Sequence, residues 1–220
     1  MLKNQKIHIF TGHYGSGKTE VALNFAIQAA NKGEKVTIID LDTVNPYFRT
    51  NDVKTLLQNY GISVIASEFA STNIDMPTVP ATVLGVFETD GTIIFDVGGD
   101  DDGAYALGQY LRFFEDTDYQ MHLVINSRRP LTATSKEMVD MAVNIQSASR
   151  LKITDIYNNT NLAKETDEDI LLSGIDEIEK AAQVLGVEVA KHCGKEDVIK
   201  GIDPQKVFKM QIYIKMPFEN

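Results

Sequence analysis

The sequence predicts a three-layer α/β/α fold, with a mostly parallel sheet covered by helices on both faces, and three observations point to it. Short apolar, β-branched runs alternate with stretches of helical periodicity along most of the chain, the pattern of successive βαβ units. The first unit carries Gly12-His13-Tyr14-Gly15-Ser16-Gly17-Lys18-Thr19 between its strand and its helix. Polar residues then recur where apolar runs end, at Asp40, Asp96, Asn126 and Asn158. The carboxyl ends of strands are where such folds bind ligands.

The first unit is the most specific. Residues 6–10 form a short apolar run that reads as a buried strand, and residues 19–31 read as a helix. Val21, Ala22, Phe25, Ala26 and Ala29 share one face of that helix, and Gly33 ends it. The octapeptide between them fits G-x-x-x-x-G-K-[ST] at every position. Strand, glycine loop and helix in that order make the pattern a phosphate-binding P-loop. Its glycines let the backbone approach an anion with no Cβ in the way, and successive N–H groups turn into one concavity. The helix adds the positive end of its dipole, roughly half an elementary charge. Gly12, His13, Tyr14, Gly15, Ser16, Gly17, Lys18, Thr19 and the following Glu20 are therefore the candidate nucleotide-binding residues. Lys18 is expected to reach the β- and γ-phosphates, and Thr19 to be a ligand to Mg²⁺. His13 either contacts phosphate or points to solvent.

The remaining elements follow in order. Residues 35–40 read as a second strand, and 41–49 as a loop with a turn at Asn45-Pro46. Thr50 or Asn51 caps a short helix to Tyr60, which Gly61 stops before a strand at 62–66. Two prolines make 67–80 a loop, and 81–88 reads as a helix. Strands are expected at 92–96, 121–126 and 152–157, with helices at 104–114 and around Met138, Ala142 and Ile145. Thr166, followed by Asp167, Glu168 and Asp169, signals a helix start that runs on to Gly186. Residues 187–190 and 211–216 read as late strands.

The acidic strand ends carry the chemistry. Asp96 closes an apolar strand downstream of the P-loop, the place for a carboxylate that holds Mg²⁺ through water. Gly98 and Gly99 behind it suit a segment ordered by a triphosphate. Asp40 and Asp42, two residues apart, fall on one side of an extended chain. Asp42 is the candidate to orient the attacking water, with Asp40 supporting it. The catalytic candidates are thus Lys18, Asp42 and Asp40, and the metal candidates Thr19, Asp42 and Asp96. Arg128 and Arg129 sit at a strand end, either stabilising transferred charge or exposed. Asp100-Asp101-Asp102 reads as a solvated loop. No Asn-Lys-x-Asp follows a strand, so adenine is favoured over guanine, with Asn158 as the base contact.

Composition narrows the partners. At 220 residues the chain is expected to form one domain, residues 1–220, with a substantial core. A net charge of −10 argues against nucleic acid and against a polybasic hold on anionic lipid. The single Cys193 excludes an internal disulfide and a cysteine-built metal site. Residues 1–6 lead straight into the first strand, so a cytoplasmic location without a leader is expected.

Together, residues 12–19, Asp40-Leu41-Asp42, Asp96-Val97-Gly98-Gly99 and Asn158 resemble the MinD/ParA/cobyrinate-synthase (SIMIBI) group of P-loop ATPases, to about residue 185. Residues 14–20 and 42–49 look like a bacterial subgroup described simply as ATP-binding. The resemblance implies an ATP-dependent homodimer, with nucleotide between facing subunits and slow hydrolysis as a timer. The departures are specific. His13 stands where the deviant-Walker members carry a second lysine, and no cysteine pair is present to bridge an iron–sulfur cluster. Residues 208–214 alternate like a strand, unlike a membrane-targeting helix. Two readings follow: a nucleotide-controlled switch for a partner protein, with Tyr47, Phe48 and Arg49 as contacts, or an ATP-dependent enzyme acting on a small acid, of the dethiobiotin synthetase type. A module that holds nucleotide without turnover is a third.

Overall fold

The computed structural model describes residues 5–42, 53–66, 81–99, 101–114 and 117–214. Eight strands make one sheet: β1 (Gln5–Thr11), β2 (Val36–Asp40), β3 (Ser63–Ala66), β4 (Gly91–Asp96), β5 (Tyr119–Ile125), β6 (Asp155–Asn158), β7 (Glu188–Gly194) and β8 (Val207–Lys209). Their order is β3-β2-β4-β1-β5-β6-β7-β8, and every neighbouring pair is parallel. The sheet is therefore parallel throughout, and the α/β/α expectation holds. Both faces must be covered in such a sheet, and two apolar layers do so. Ile7, Ile9, Phe95 and Leu123 face one layer, with Met138, Ala142 and Ile178 from helices α6 (Ser135–Ser149) and α8 (Ile175–Leu185). Phe10, Ile38, Ile94 and Val124 face the other, with Val21, Ala22 and Ala26 of α1 (Lys18–Asn31).

Two expected helices are each broken in two. The helix expected at 104–114 is α4 (Asp101–Gly108) and α5 (Leu111–Phe114), and α4 takes in Asp101 and Asp102, which were expected in a loop. At Gly108 the chain lies so close to the end of α6 that a Cβ would sit 2.9 Å from the Ala148 carbonyl, and Arg150 Nη2 donates to the Gly108 carbonyl at 3.0 Å. Residues 166–186 contain α7 (Glu168–Leu172) and α8, divided at Gly174, where a Cβ would collide with Ser127. The cap of α7 is Asp167, which accepts from Ile170 N at 2.8 Å, rather than Thr166. The short α2 (Lys54–Asn59) and α3 (Ala81–Val86) fall where helices were expected. The readings at Asn45-Pro46, at Tyr47, Phe48 and Arg49, at Thr50 and Asn51, and at 67–80 lie outside the described residues.

The late strand is displaced. Residues 207–209 join the sheet as β8, whereas 211–214 do not, and 215–216 lie outside the described residues. The segment instead runs antiparallel to α1, held by one stripe of that helix. Gln28 Nε2 donates to Lys209 O at 2.8 Å, and Asn24 both donates to Gln211 O and accepts from Gln211 N, each at 2.8 Å. Glu20 accepts from Tyr213 N at 2.7 Å and Ile214 N at 3.1 Å. Four helical residues rise ~6 Å and two extended residues ~6.6 Å, so the stripe and the segment stay in step. Alternation reveals extended chain; it does not reveal whether a strand or a row of helix side chains is the partner.

The α1 face also carries a buried polar row across three strands. His122 Nδ1 lies 2.6 Å from Asp155 Oδ1, and His122 Nε2 lies 3.1 Å from His8 Nδ1. Burial, and next the neighbouring His122, push the His8 imidazole down to about 4, against a smaller upward pull from Asp155. A histidine whose folded value lies below its unfolded value of about 6.5 contributes stability above that pH and loses it as pH falls toward 4. Lowering the pH from 7 to 5 should therefore depress the Tm of the protein by roughly 4–8 °C through this residue. Calorimetry of the wild type and His8→Gln should show the smaller fall in the variant.

Candidate phosphate-binding site

Sheet register assembles the site. Asp96 lies beside Phe10 of β1 and beside Asp40 of β2. Because side chains alternate, Asp40 and Asp96 share the face of Ile38 and Ile94, on which α1 begins. The chain leaves β1 at Thr11 and turns through Gly12 into the loop, where Ser16 N donates to His13 O at 3.0 Å. Gly17, at φ 83°, is the residue before α1, a left-handed position that glycine occupies without strain. A Cβ on Gly17 would also collide with Asn159 Nδ2.

Lys18 is buried under this loop with its Nζ 2.7 Å from Asp42 Oδ2. Asp40 Oδ1 accepts from Asp42 N at 3.0 Å, which fixes the turn that carries Asp42 to the lysine. Asp96 is fully buried, and burial raises its carboxyl to about 8. Lys18 and the nearby Thr19 hydroxyl pull the other way, while Asp40 and Asp42 add to the rise. Among the described residues, Thr11 Oγ1, Ser16 Oγ, Thr19 Oγ1 and both Asp96 oxygens are buried side-chain atoms with no hydrogen-bond partner. All lie on the loop, its two flanks or the facing strand end. Buried polar atoms in a native fold are nearly always satisfied, so such a concentration marks a place built for a ligand. A hydroxyl and an unpartnered carboxyl group, once ionised beside a cation, are hard oxygen donors suited to Mg²⁺, which usually keeps waters and phosphate oxygens in its shell. Among the described residues no group of three or more His, Cys, Asp or Glu is arranged to hold a metal alone.

The segment after Asp96 presses on the loop: a Cβ on Gly99 would collide with the carbonyl of Gly12. Val97 N donates to Phe10 O at 2.9 Å, so this segment starts as an extension of the sheet. His13 Nδ1 donates to Tyr14 O at 3.1 Å, and the Tyr14 side chain is exposed. Arg129 reaches the loop, with Nε donating to Gly15 O at 3.2 Å, whereas Arg128 donates to Ser173 Oγ at 3.1 Å.

Two expected contacts are otherwise employed. Glu20 gives its carboxylate to the N–H groups of Tyr213 and Ile214, and burial raises its pKa. Asn158 is fully buried: its Nδ2 lies 2.9 Å from Leu171 O and 3.1 Å from His192 Nδ1, and its Oδ1 accepts from Thr160 N at 3.0 Å. Its amide is thereby committed to the protein interior, and its neighbour Asn159 meets the loop, donating from Nδ2 to Ser16 O at 2.7 Å. Asn159 and Thr11 are the residues that sequence reasoning missed. Thr11 directly precedes the glycine pattern, and in the pair Asn158-Asn159 the side-chain alternation of a strand end decides which amide turns toward the loop.

Fold and site together define a nucleotide-binding P-loop protein. The chain matches the CobQ/CobB/MinD/ParA nucleotide-binding domain over residues 7–202 and belongs to that family. No curated protein matches it. It is similar to the solved structure of the cell division protein FtsY from Thermotoga maritima, at 18% identity and a TM-score of 0.57, covering 86% of this chain and 61% of that one. A nucleotide-binding protein from Archaeoglobus fulgidus, solved with ADP, is similar at 15% identity and a TM-score of 0.55, covering 92% and 90%. The signal recognition particle 54 kDa protein of Aeropyrum pernix, solved with GDP, gives 19% and 0.56, covering 86% and 41%. This chain thus spans less than two thirds of the FtsY protein, and at these identities the likeness is one of fold.

The buried acid sets an opposing demand on stability. Its raised pKa means that the fold favours the protonated form, so ionisation destabilises the fold increasingly as pH rises from about 4 toward 8. Asp96→Asn should raise the Tm of the nucleotide-free protein at pH 8, gain little near pH 4, and remove the added stabilisation by Mg-nucleotide; thermal melts across pH would show it. Gly99→Ala should weaken nucleotide affinity by about tenfold or more through displacement of the Gly12 carbonyl, as measured by calorimetric titration.

Proposed function

We propose that this protein is a Mg²⁺-dependent ATPase whose nucleotide state controls self-association, acting as a switch for a partner protein. The observation that carries the reading is the group of unpartnered buried oxygens on Thr11, Ser16, Thr19 and Asp96 around a loop whose lysine is held by Asp42. Bound Mg-ATP would supply the electrophilic phosphorus and the cation that offsets its charge. The chain's own residues divide the remaining work. The loop N–H groups and the start of α1 receive phosphate oxygens. Thr19 and Asp96 offer oxygens to the cation or to its water. Asp42 sits within reach of Lys18 Nζ, so a carboxylate able to orient water stands beside the cation of the loop. Asp40 positions Asp42 through its backbone N–H.

Adenine is the proposed base because no guanine-reading Asn-Lys-x-Asp follows a strand. The family includes proteins that dimerise around nucleotide, which supports a homodimer here. The close approach of Gly99 to the Gly12 carbonyl supports a Gly98-Gly99 segment that responds to what the loop holds.

Light scattering with Mg-ADP and then with a non-hydrolysable Mg-ATP analogue should show a doubled mass with the triphosphate alone. Asp42→Asn should retain the ATP-dependent dimer while lowering hydrolysis by about 100-fold or more. An unchanged mass in both nucleotide states overturns the switch, and hydrolysis unaffected by Asp42→Asn overturns the role of that residue.

A further inference from the structure

A cavity of about 680 Å³ opens on the α1 face of the sheet, at the amino ends of its strands. It is remote from the P-loop, which follows the carboxyl end of β1: from His8 to Gly12 the strand rises ~13 Å. The volume is that of a small-molecule site. Phe25 of α1, Tyr157 of β6 and Phe208 of β8 form its aromatic wall, with ring centroids 6.3 Å apart for Phe25 and Phe208 and 5.8 Å for Tyr157 and Phe208. His8 lies against Phe25 at 4.4 Å and is all but buried at the same wall.

The polar row gives that histidine a direction. In a neutral His122 imidazole, a proton on Nδ1 given to the Asp155 carboxylate leaves His122 Nε2 as an acceptor. His8 Nδ1 then donates to it, and His8 Nε2 keeps a lone pair. A buried chain of hydrogen bonds has to end on a partner or at an opening. This one ends at a residue that lines the cavity. Burial keeps the imidazole neutral, so its free nitrogen accepts rather than repels a donor.

The electrostatics of the lining run against those of the chain. The protein carries a net charge of −10, yet the cavity is lined by three lysines, Lys6, Lys32 and Lys191, against two carboxylates, Glu34 and Asp118. Lys6 lies 3.5 Å from Glu34, and Lys191 Nζ donates to Gln205 O. Lys32 is exposed at the end of α1 and completes a cationic margin.

We propose that this cavity is a second ligand site, for a small planar aromatic anion that carries an N–H or O–H donor. The ring lies among Phe25, Tyr157 and Phe208, the donor meets His8 Nε2, and the anionic group faces the lysines. Aromatic walls favour a flat ring in edge or offset contact. The lysines select against a cationic ligand, and the acceptor on His8 selects for one with a proton to give.

Indole-3-carboxylate is a suitable probe, since it has the ring, the N–H and the carboxylate. Saturation-transfer NMR on the full chain should detect binding with a Kd in the millimolar range or below. 1-Methylindole-3-carboxylate, which lacks the donor, should bind about tenfold more weakly, the loss of one hydrogen bond. Binding should weaken by about tenfold in His8→Phe and weaken in Lys32→Glu, an exposed change that does not test folding. It should persist in Lys18→Ala and in the presence of Mg-ADP. In the wild type, ¹⁵N spectra of the histidines should show His8 as the Nδ1–H tautomer, with its Nε2 resonance moving on titration. Absence of binding to the solubility limit, equal affinity in Lys32→Glu and His8→Phe, or competition by Mg-ADP would each overturn the proposal.

Discussion

The contact between Lys18 Nζ and Asp42 Oδ2 is the constraint on which the site depends. Removing both charges from water is costly, and the attraction compensates when the geometry is good and the remaining polar groups are tied down. Here the strands meet that condition. β2 and β4 run side by side in a register that pairs Asp40 with Asp96, and Leu41 N donates to Asp96 O at 2.8 Å. The backbone therefore sets where the acids stand before any ligand arrives. Asp40 is absorbed in holding the turn, Asp42 meets the lysine, and Asp96 is left with no hydrogen-bond partner among the described residues. Three carboxylates of one kind acquire three roles from position alone.

The helix that begins at this lysine links the site to a distant part of the chain. One face of α1 packs on the sheet through Val21, Ala22 and Ala26. A different stripe, Glu20, Asn24 and Gln28, takes the backbone polar groups of residues 209–214. The P-loop helix is thus fixed by apolar burial on one side and by directional hydrogen bonds on another. Glu20 stands one residue after Thr19, so residues 213 and 214, remote in sequence, are bonded to the residue next to the candidate metal ligand.

The two ends of the sheet differ in chemistry. At the carboxyl ends stand the glycine loop, a buried lysine and the acids Asp40, Asp42 and Asp96. At the amino ends, the α1 face carries the row from Asp155 through His122 to His8, flanked by aromatic rings and lysines. Parallel strands produce this polarity, because every strand presents its start at one edge and its end at the other. A chain of eight parallel strands therefore has two distinct edges on which to place function.

Sequence alone determined the parts whose physics is local. The glycine pattern between an apolar strand and a helix specifies the P-loop, and β-branched runs between helical periods specify a parallel sheet with both faces covered. Asp40, Asp42 and Asp96 were legible because they follow apolar runs, and such runs end at the ligand edge. What tertiary structure decided were the choices among partners that no spacing encodes. Glu20 and Asn158 sit where ligand contacts were expected, yet Glu20 binds the N–H groups of residues 213 and 214 while Asn158 bonds Leu171, His192 and Thr160. The helices divide at Gly108 and Gly174, where close approach to α6 or Ser127 leaves no room for a Cβ, and the alternation at 211–214 found α1 side chains rather than a strand. His8, His122 and Asp155 lie more than thirty residues apart in sequence, and strand order alone brings them into one row. Local periodicity tells which backbone a segment adopts; which groups it meets depends on contacts between segments remote in the chain.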